Sequence, residues 1–340
     1  MLKDVWVRIP SWSLLKGKFK NEFTFFLFML FYFLFLFNLF KKSMNNIKNI
    51  FSIKDLENLS GIKAHTIRIW EKRYEILEPM RTDTNIRYFN TENLQKLLNI
   101  TLLHNHGYKI SKISKFPKDK ISEIVKEISN PKNANNHAIS NFKLAMIEFN
   151  QKLFFTTYDE LLKEKTFSEV FYEVFVPLIS EIGMLWQTGT ISPAHEHFIS
   201  YLIKQKILIN TEKVQIQEPI FNDKTFVLYL PENEIHELGL MFLNYEIQNK
   251  GYKTIYLGES VPLENLIDVK KYFSNITYIC YMTVEPNVDK IDEYLSEIEK
   301  ISDADNNFLL LGRMAQSISK EKLSNNISVY SNIAELTNSL

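Results

Sequence analysis

The sequence predicts a multidomain α and α/β chain: a winged helix-turn-helix, then a four-helix bundle, then a doubly wound parallel sheet. Three observations predict it. Two short helical runs meet at a tight turn around Gly61 and are followed by an arginine-bearing polar turn. Four amphipathic stretches then succeed one another between residues 137 and 211. From Thr225 onward, short β-branched and aromatic runs alternate with helical ones.

The first 43 residues belong to none of these. Residues 23–40, "FTFFLFMLFYFLFLFNLF", are apolar except for Thr24 and Asn38, and Lys41 and Lys42 follow. That length reaches the threshold for a membrane span. No small-residue cleavage site follows, which argues against a cleaved signal peptide. Two readings stand: upstream sequence ahead of a natural start at Met44, which is the preferred one, or a hydrophobic single-pass anchor. The protein is expected in the cytoplasm, and at a membrane only if residues 23–40 are a true anchor.

Charge is spread unevenly although the net charge is zero. Residues 44–120 carry 14 Lys+Arg against 8 Asp+Glu, and residues 121–340 carry 19 against 30. A basic front on an acidic body suggests a nucleic-acid-binding module joined to something else. The single cysteine, Cys280, excludes a disulfide architecture and leaves zinc-finger and thiol-sensing readings without ligands.

The front module spans residues 44–120. "FSIKDLENL" has apolar positions at helical spacing, with Ser52 placed as its N-cap. "AHTIRIWEKRYEIL" opens a second helix after a very short turn, so the pair forms a helix-turn-helix. This helix carries His65, Thr66, Arg68, Lys72 and Arg73, which can reach bases and phosphates. Pro79 ends it, and the polar turn between Arg81 and Arg87 suggests a small β-wing. "TENLQKLLNITLLHNHGYKISKISKF" then gives a capped helix, a stop at Gly107 and a short basic helix.

The order of helix-turn-helix, "WEKRY", arginine wing with "RYFN", and "HNHGYKISKI" resembles the MerR family of transcription regulators. That resemblance implies a winged helix that binds operator DNA as a dimer. It implies that His65, Thr66, Arg68 and Arg73 face the major groove, that Arg81 and Arg87 belong to the wing, and that Tyr74 packs or contacts a phosphate. Trp70 and Tyr88 fall to core or supporting roles.

Residues 121–136 read as a linker, and the polar "SNPKNANNHAIS" with Pro131 begins within it at Ser129. Residues 137–215 read as the bundle, with helices at about 137–151, 153–163, 166–183 and 193–211. Its last loop, "MLWQTGTISPAHEHFIS", is punctuated by Gly189 and Pro193, and Ser192 can cap the following helix.

Residues 222–340 form the α/β part. The strand runs are "TFVLYL", "KTIYL", "TYICYMTV" and "NNFLLLG", with helices in "ELGLMFLNYEIQNKG" and "VDKIDEYLSEIEKIS". Ligands of such sheets sit at the carboxyl ends of strands, beside the switch in strand order. His236 follows the first strand. By itself a histidine beside Glu234 and Glu237 reads as a solvated loop residue, but its place in the fold puts it on the binding edge. With no GxGxxG or Walker sequence, nucleotide-phosphate cradling has no support.

Glu234-x-His236-x-x-Gly239 is similar to the Asp-x-His-x-x-Gly signature of cobalamin-binding domains, which are flavodoxin/Rossmann-like. The resemblance implies that His236 coordinates cobalt from below as the metal ligand, that Glu234 hydrogen-bonds its imidazole, and that Gly239 lets the nucleotide tail pass. The family's Ser-x-Leu falls on Met282-Thr283-Val284, and its Gly-Gly on Gly312-Arg313. Spacing is kept and residue identity is not. Trp186, nine residues, then Glu196-His197 resembles the upper-face motif of cobalamin-dependent MerR regulators of the CarH/LitR type. The candidate cofactor-binding set is thus His236, Glu234, Gly239, Trp186, Glu196, His197, Thr283 and Gly312, with adenosylcobalamin or methylcobalamin as the cofactor. In light-responsive relatives a histidine follows the tryptophan; here Gln187 stands there, with His195 or His197 as possible substitutes.

The expected function is a DNA-binding regulator, a repressor by preference, whose assembly as homodimer or homotetramer responds to cobalamin, with light an optional trigger. It is not expected to be an enzyme. The alternatives are a MerR-type regulator with a vestigial cobalamin domain used for protein interaction, and a corrinoid methyl-carrier module.

Overall fold

The computed structural model describes residues 50–340, apart from Asp83 and residues 128–130, 304–305, 320 and 322. The hydrophobic stretch 23–40 lies outside the described residues. Among those described, no helix is long and apolar enough to cross a membrane.

The described chain divides into two compact units. The first runs to Glu57 and takes in Lys63–Leu97; the second comprises Asn58–Ile62 and Leu98–Leu340. Helix α1 (Ile53–Ser60), which begins in the first unit, starts from a reciprocal cap. The Asp55 N–H donates to Ser52 Oγ at 3.1 Å, and the Ser52 N–H donates to Asp55 Oδ2 at 2.8 Å. Recognition-type helix α2 (Ala64–Tyr74) follows after Gly61, which turns the chain at φ +75°. The wing is a two-stranded antiparallel ribbon, β1 (Met80–Arg81) and β2 (Arg87–Tyr88). Phe51 and Phe89 exchange backbone hydrogen bonds of 2.7 and 2.8 Å. Both rings are fully buried, alongside Ile67, Trp70, Leu94 and Leu97.

Helix α3 (Thr91–Asn105) stops ahead of Gly107, at φ +85°, and the short α4 (Ile110–Ile113) follows. The expected linker is a correction: α5 (Lys118–Glu127) and α6 (Pro131–Ile147) occupy most of residues 121–136. Ile121, Ile124 and Val125 recur at helical spacing and are buried. Pro131 opens α6 rather than breaking it, because the first position of a helix needs no N–H partner.

The bundle is α6, α7 (Gln151–Leu161), a third helix in pieces, and α10 (Pro193–Gln215). The third helix is α8 (Phe167–Val170), a π turn (Phe171–Phe175) and α9 (Val176–Gln187). Pro177 explains the break: it lacks an N–H and its ring crowds the carbonyl four residues back, so the ladder widens just ahead of it. Phe142, Phe154 and Phe175 fill the centre, with ring centroids 4.9 Å apart for the first pair and 5.5 Å for Phe142 and Phe175.

The sheet has five parallel strands in the order β4-β3-β5-β6-β7. They are β3 (Phe221–Tyr229), β4 (Tyr252–Gly258), β5 (Ile276–Tyr281), β6 (Asn306–Leu311) and β7 (Ile327–Val329). Strand order reverses direction at β3, which makes the carboxyl ends of β3 and β5 the switch point. Helix α11 (Leu238–Asn249) covers one face. On the other, α12 (Leu266–Lys270) and α13 (Ile291–Ile301) supply Leu266, Ile291, Tyr294 and Ile298 to a core with Tyr229, Tyr278, Cys280 and Met282. Cys280 is fully enclosed there, and burial pushes its thiol up to about 12. The last helix is α14 (Ile333–Ser339).

The bundle and the sheet share an aromatic contact. Phe171, at the π turn, stacks on Phe242 of α11 with centroids 3.6 Å apart, and Phe167 meets Tyr245 edge-on. Ser168 Oγ donates to Glu246 Oε1 at 2.5 Å.

Candidate functional site

The loop after β3 is organised by one carboxylate. Glu234 is buried, at 1% exposure, and its two oxygens accept six donors. Oε2 takes the N–H groups of Thr283, Val284 and Glu285 at 3.1, 2.6 and 2.9 Å. Oε1 takes those of Ile235 and His236 at 2.9 Å each, and His236 Nδ1 at 2.6 Å. Burial raises the carboxyl, but the N–H bonds from Glu285, Val284 and His236 outweigh it and hold the group at about 2. The acid is therefore ionised and bridges the loops that follow β3 and β5.

His236 is the product of this arrangement. Its side chain stays 56% exposed, and Glu234 fixes the proton on Nδ1. In the neutral ring that leaves Nε2 as a lone pair pointing away from the carboxylate, which is the geometry of a metal-ligating imidazole with a carboxylate behind it.

The next residue ties this loop to the bundle. Glu237 pairs with Lys204 of α10 and accepts from Tyr256 Oη at 3.2 Å, and its hydrogen bond pushes the Glu259 carboxyl up. Lys204 is not marked by the sequence, since a lysine in mid-helix carries no motif, and Glu237 stands there only as an acid beside His236.

Trp186, the last residue but one of α9, is 55% exposed. Glu196 and His197 lie in the first turn of α10, two turns before Lys204 and about 12 Å along the axis. Glu196 Oε1 accepts from Ser200 Oγ at 2.7 Å, and Oε2 lies 3.4 Å from His197 Nε2. Gln187 is exposed. His195 does not share this surface: it is buried, stacks on Phe149 at 4.7 Å, and closes the α10 cap with Ser192 Oγ at 2.8 Å. The reading of His195 as a substitute for the missing histidine is thereby corrected, because its ring is used in the cap. His197 stays exposed.

In the first unit, His65, Arg68, Lys72 and Arg73 stand exposed on α2, while Thr66 and Tyr74 are half-buried. Trp70 is in the core. Arg81 and Arg87 face one another across the wing ribbon and are exposed. Arg87 Nε donates to Glu71 Oε1 at 3.0 Å, and Arg81 Nη1 to Asn85 Oδ1 at 2.8 Å.

The family model described as "MerR HTH family regulatory protein" matches residues 51–119, and "B12 binding domain" matches residues 138–209. The chain carries a MerR-type helix-turn-helix domain and a B12-binding domain. Two curated relatives from Myxococcus xanthus are similar to the chain. The HTH-type transcriptional repressor CarH is 26% identical over 214 residues, covering 61% of this chain and 70% of the relative. The HTH-type transcriptional repressor CarA is 21% identical over 211 residues, covering 62% and 68%. Among solved structures, the monomethylamine corrinoid protein of Methanosarcina barkeri shares the fold of 60% of this chain and 97% of its own, at a TM-score of 0.50 and 11% identity.

Three sequence-predicted positions remain: Thr283, Gly312 and Gly239. Thr283 gives its N–H to Glu234. Gly312, at φ +96°, lies where a Cβ would fall 2.4 Å from the Met282 carbonyl oxygen, so glycine is required there by close backbone packing. Gly239 faces Tyr281, a residue that no motif marked: a Cβ on Gly239 would fall 2.5 Å from Tyr281 Cζ.

Proposed function

We propose that this regulator is a repressor whose assembly and operator affinity respond to a corrinoid held between the bundle and the carboxyl edge of the sheet. The observation that carries the reading is the Glu234–His236 pair. A buried, ionised carboxylate orders an exposed imidazole with its Nδ1 proton directed inward and Nε2 outward. A bound cobalt would supply a Lewis-acidic centre, and the Nε2 lone pair of His236 would hold it. On the cobalt side the residues fit the group; on the side of the nucleotide tail they do not.

His236 is the lower ligand and Glu234 its orienting partner. Trp186, with Glu196 and His197, covers the upper face, as an exposed aromatic ring beside a Glu-His pair can do. Lys204 joins the two halves through Glu237, so a ligand seated between them changes the α10 contact. On the DNA side His65, Thr66, Arg68 and Arg73 read the major groove, Tyr74 packs or touches a phosphate, and Arg81 and Arg87 contact the backbone from the wing. The working species is a homodimer or homotetramer. Adenosylcobalamin or methylcobalamin is the ligand form, and light is an optional trigger, since Gln187 is not a cobalt ligand.

The test is a visible absorbance spectrum of purified protein after incubation with adenosyl-, methyl- or hydroxocobalamin, dark and illuminated, followed by size exclusion. Retained corrinoid with a nitrogen-ligated spectrum that His236→Ala abolishes is the expected result. A protein that retains none of the three rejects the reading.

A further inference from the structure

We propose that the site holds the corrin ring and cobalt but not the nucleotide tail: the passage beside Gly239 is filled by the chain's own Tyr281. The proposal rests on His236 being the lower ligand, and it concerns which corrinoid the regulator takes.

A glycine at the start of α11 leaves a bare face toward the sheet. Here that face is in use. A Cβ at Gly239 would fall 2.5 Å from Tyr281 Cζ, 2.8 Å from Oη and 2.9 Å from Cε1, so the phenol ring is seated directly against the glycine. Tyr281 ends β5 on the side of α11 and is partly buried. Its neighbours Cys280 and Met282 turn to the opposite face and are fully enclosed with Tyr229 and Tyr294. The second close approach is equally taken up. Gly312 makes room for the Met282 carbonyl, which accepts the Met314 N–H at 2.9 Å.

The chemistry at these positions agrees with the packing. A nucleotide tail carries a phosphate, a ribose and an aromatic base, and it needs both a slot and polar partners. Met282 has no hydroxyl to offer, and Arg313 is exposed at the surface. The tail's base and the phenol ring compete for one space, since packed interiors hold few voids. The ring stays, because it needs no desolvation of a phosphate to remain.

The experiment titrates the full chain with hydroxocobalamin and with aquocobinamide, which lacks the nucleotide, following the visible spectrum. The expected result is that aquocobinamide binds at least as tightly as hydroxocobalamin, whose nucleotide has no slot to enter, and that Tyr281→Ala gains about tenfold for hydroxocobalamin alone. Tyr281→Leu, which keeps an apolar side chain, guards against a misfolded Ala variant, with circular dichroism melts as the check. If both variants unfold, the wild-type ratio still decides. A wild-type protein that prefers hydroxocobalamin by more than about tenfold overturns the proposal while sparing the His236 reading. A protein that binds neither corrinoid overturns both.

Discussion

Glu234 does the most of any single residue. Replacing it with glutamine keeps the shape but gives up the charge and puts an N–H₂ where one oxygen accepted backbone N–H groups. Glu234→Gln is therefore expected to weaken corrinoid binding about 10–100-fold, as loss of a carboxylate behind a ligating histidine does, measured by absorbance titration. The pH dependence follows from its depressed carboxyl. The folded group sits at about 2, below the ordinary glutamate value near 4.3. Its stabilisation is full above that ordinary value and fades as pH falls toward about 2. Acid unfolding followed by circular dichroism should thus be shallower for Glu234→Gln between these limits. At Gly239 two effects oppose one another. Alanine improves helix propensity by up to about 1 kcal/mol, but overpacking against Tyr281 costs about 1–3 kcal/mol. The clash wins, so Gly239→Ala lowers the melting temperature; in a Tyr281→Ala background the same change should be neutral or stabilising.

The helices and strands were legible where a pattern is local. The capped α1, the Gly107 stop, the wing between Arg81 and Arg87, and the alternation that gives the sheet are all written in neighbouring residues. Three features were not. Pro131 looks alike at a helix start and in a linker, and only the burial of Ile121, Ile124 and Val125 marks α5 as helical. The three-residue β7 is too short to show alternation. The Tyr281–Gly239 contact joins a strand end to a helix start, and only the fold brings them together. His236 became a site residue by motif and by strand-end position, whereas the Lys204–Glu237 pair beside it could be found only in three dimensions. Helix α2 separates two roles that its sequence interleaves. Arg68→Ala, exposed, should weaken operator binding by about 1–3 kcal/mol without changing thermal stability. Trp70→Ala, buried, should cost about 3–5 kcal/mol of stability instead. Fluorescence anisotropy on operator DNA and thermal melts distinguish the two.

For the molecule as a whole, a sensor and a DNA reader on one chain are bound by reciprocity. If a corrinoid changes operator affinity by some factor, operator DNA must change corrinoid affinity by the same factor. That factor is expected to be about 5–150. Titrating corrinoid into the protein with and without operator DNA, at fixed salt, checks it, and size exclusion under the same conditions reports whether assembly carries the coupling. Unequal factors would mean that a further equilibrium, such as aggregation, had entered.

The bridging carboxylate of Glu234 has one more consequence. Because its Oε2 gathers the N–H groups of Thr283, Val284 and Glu285 while its Oε1 holds His236, those three amides report on the histidine from across the strand order. A pull on the imidazole tugs the same carboxylate that shields them from solvent deuterium. The exchange rates of three adjacent backbone amides, on the loop after β5, therefore act as a built-in gauge of what the imidazole holds.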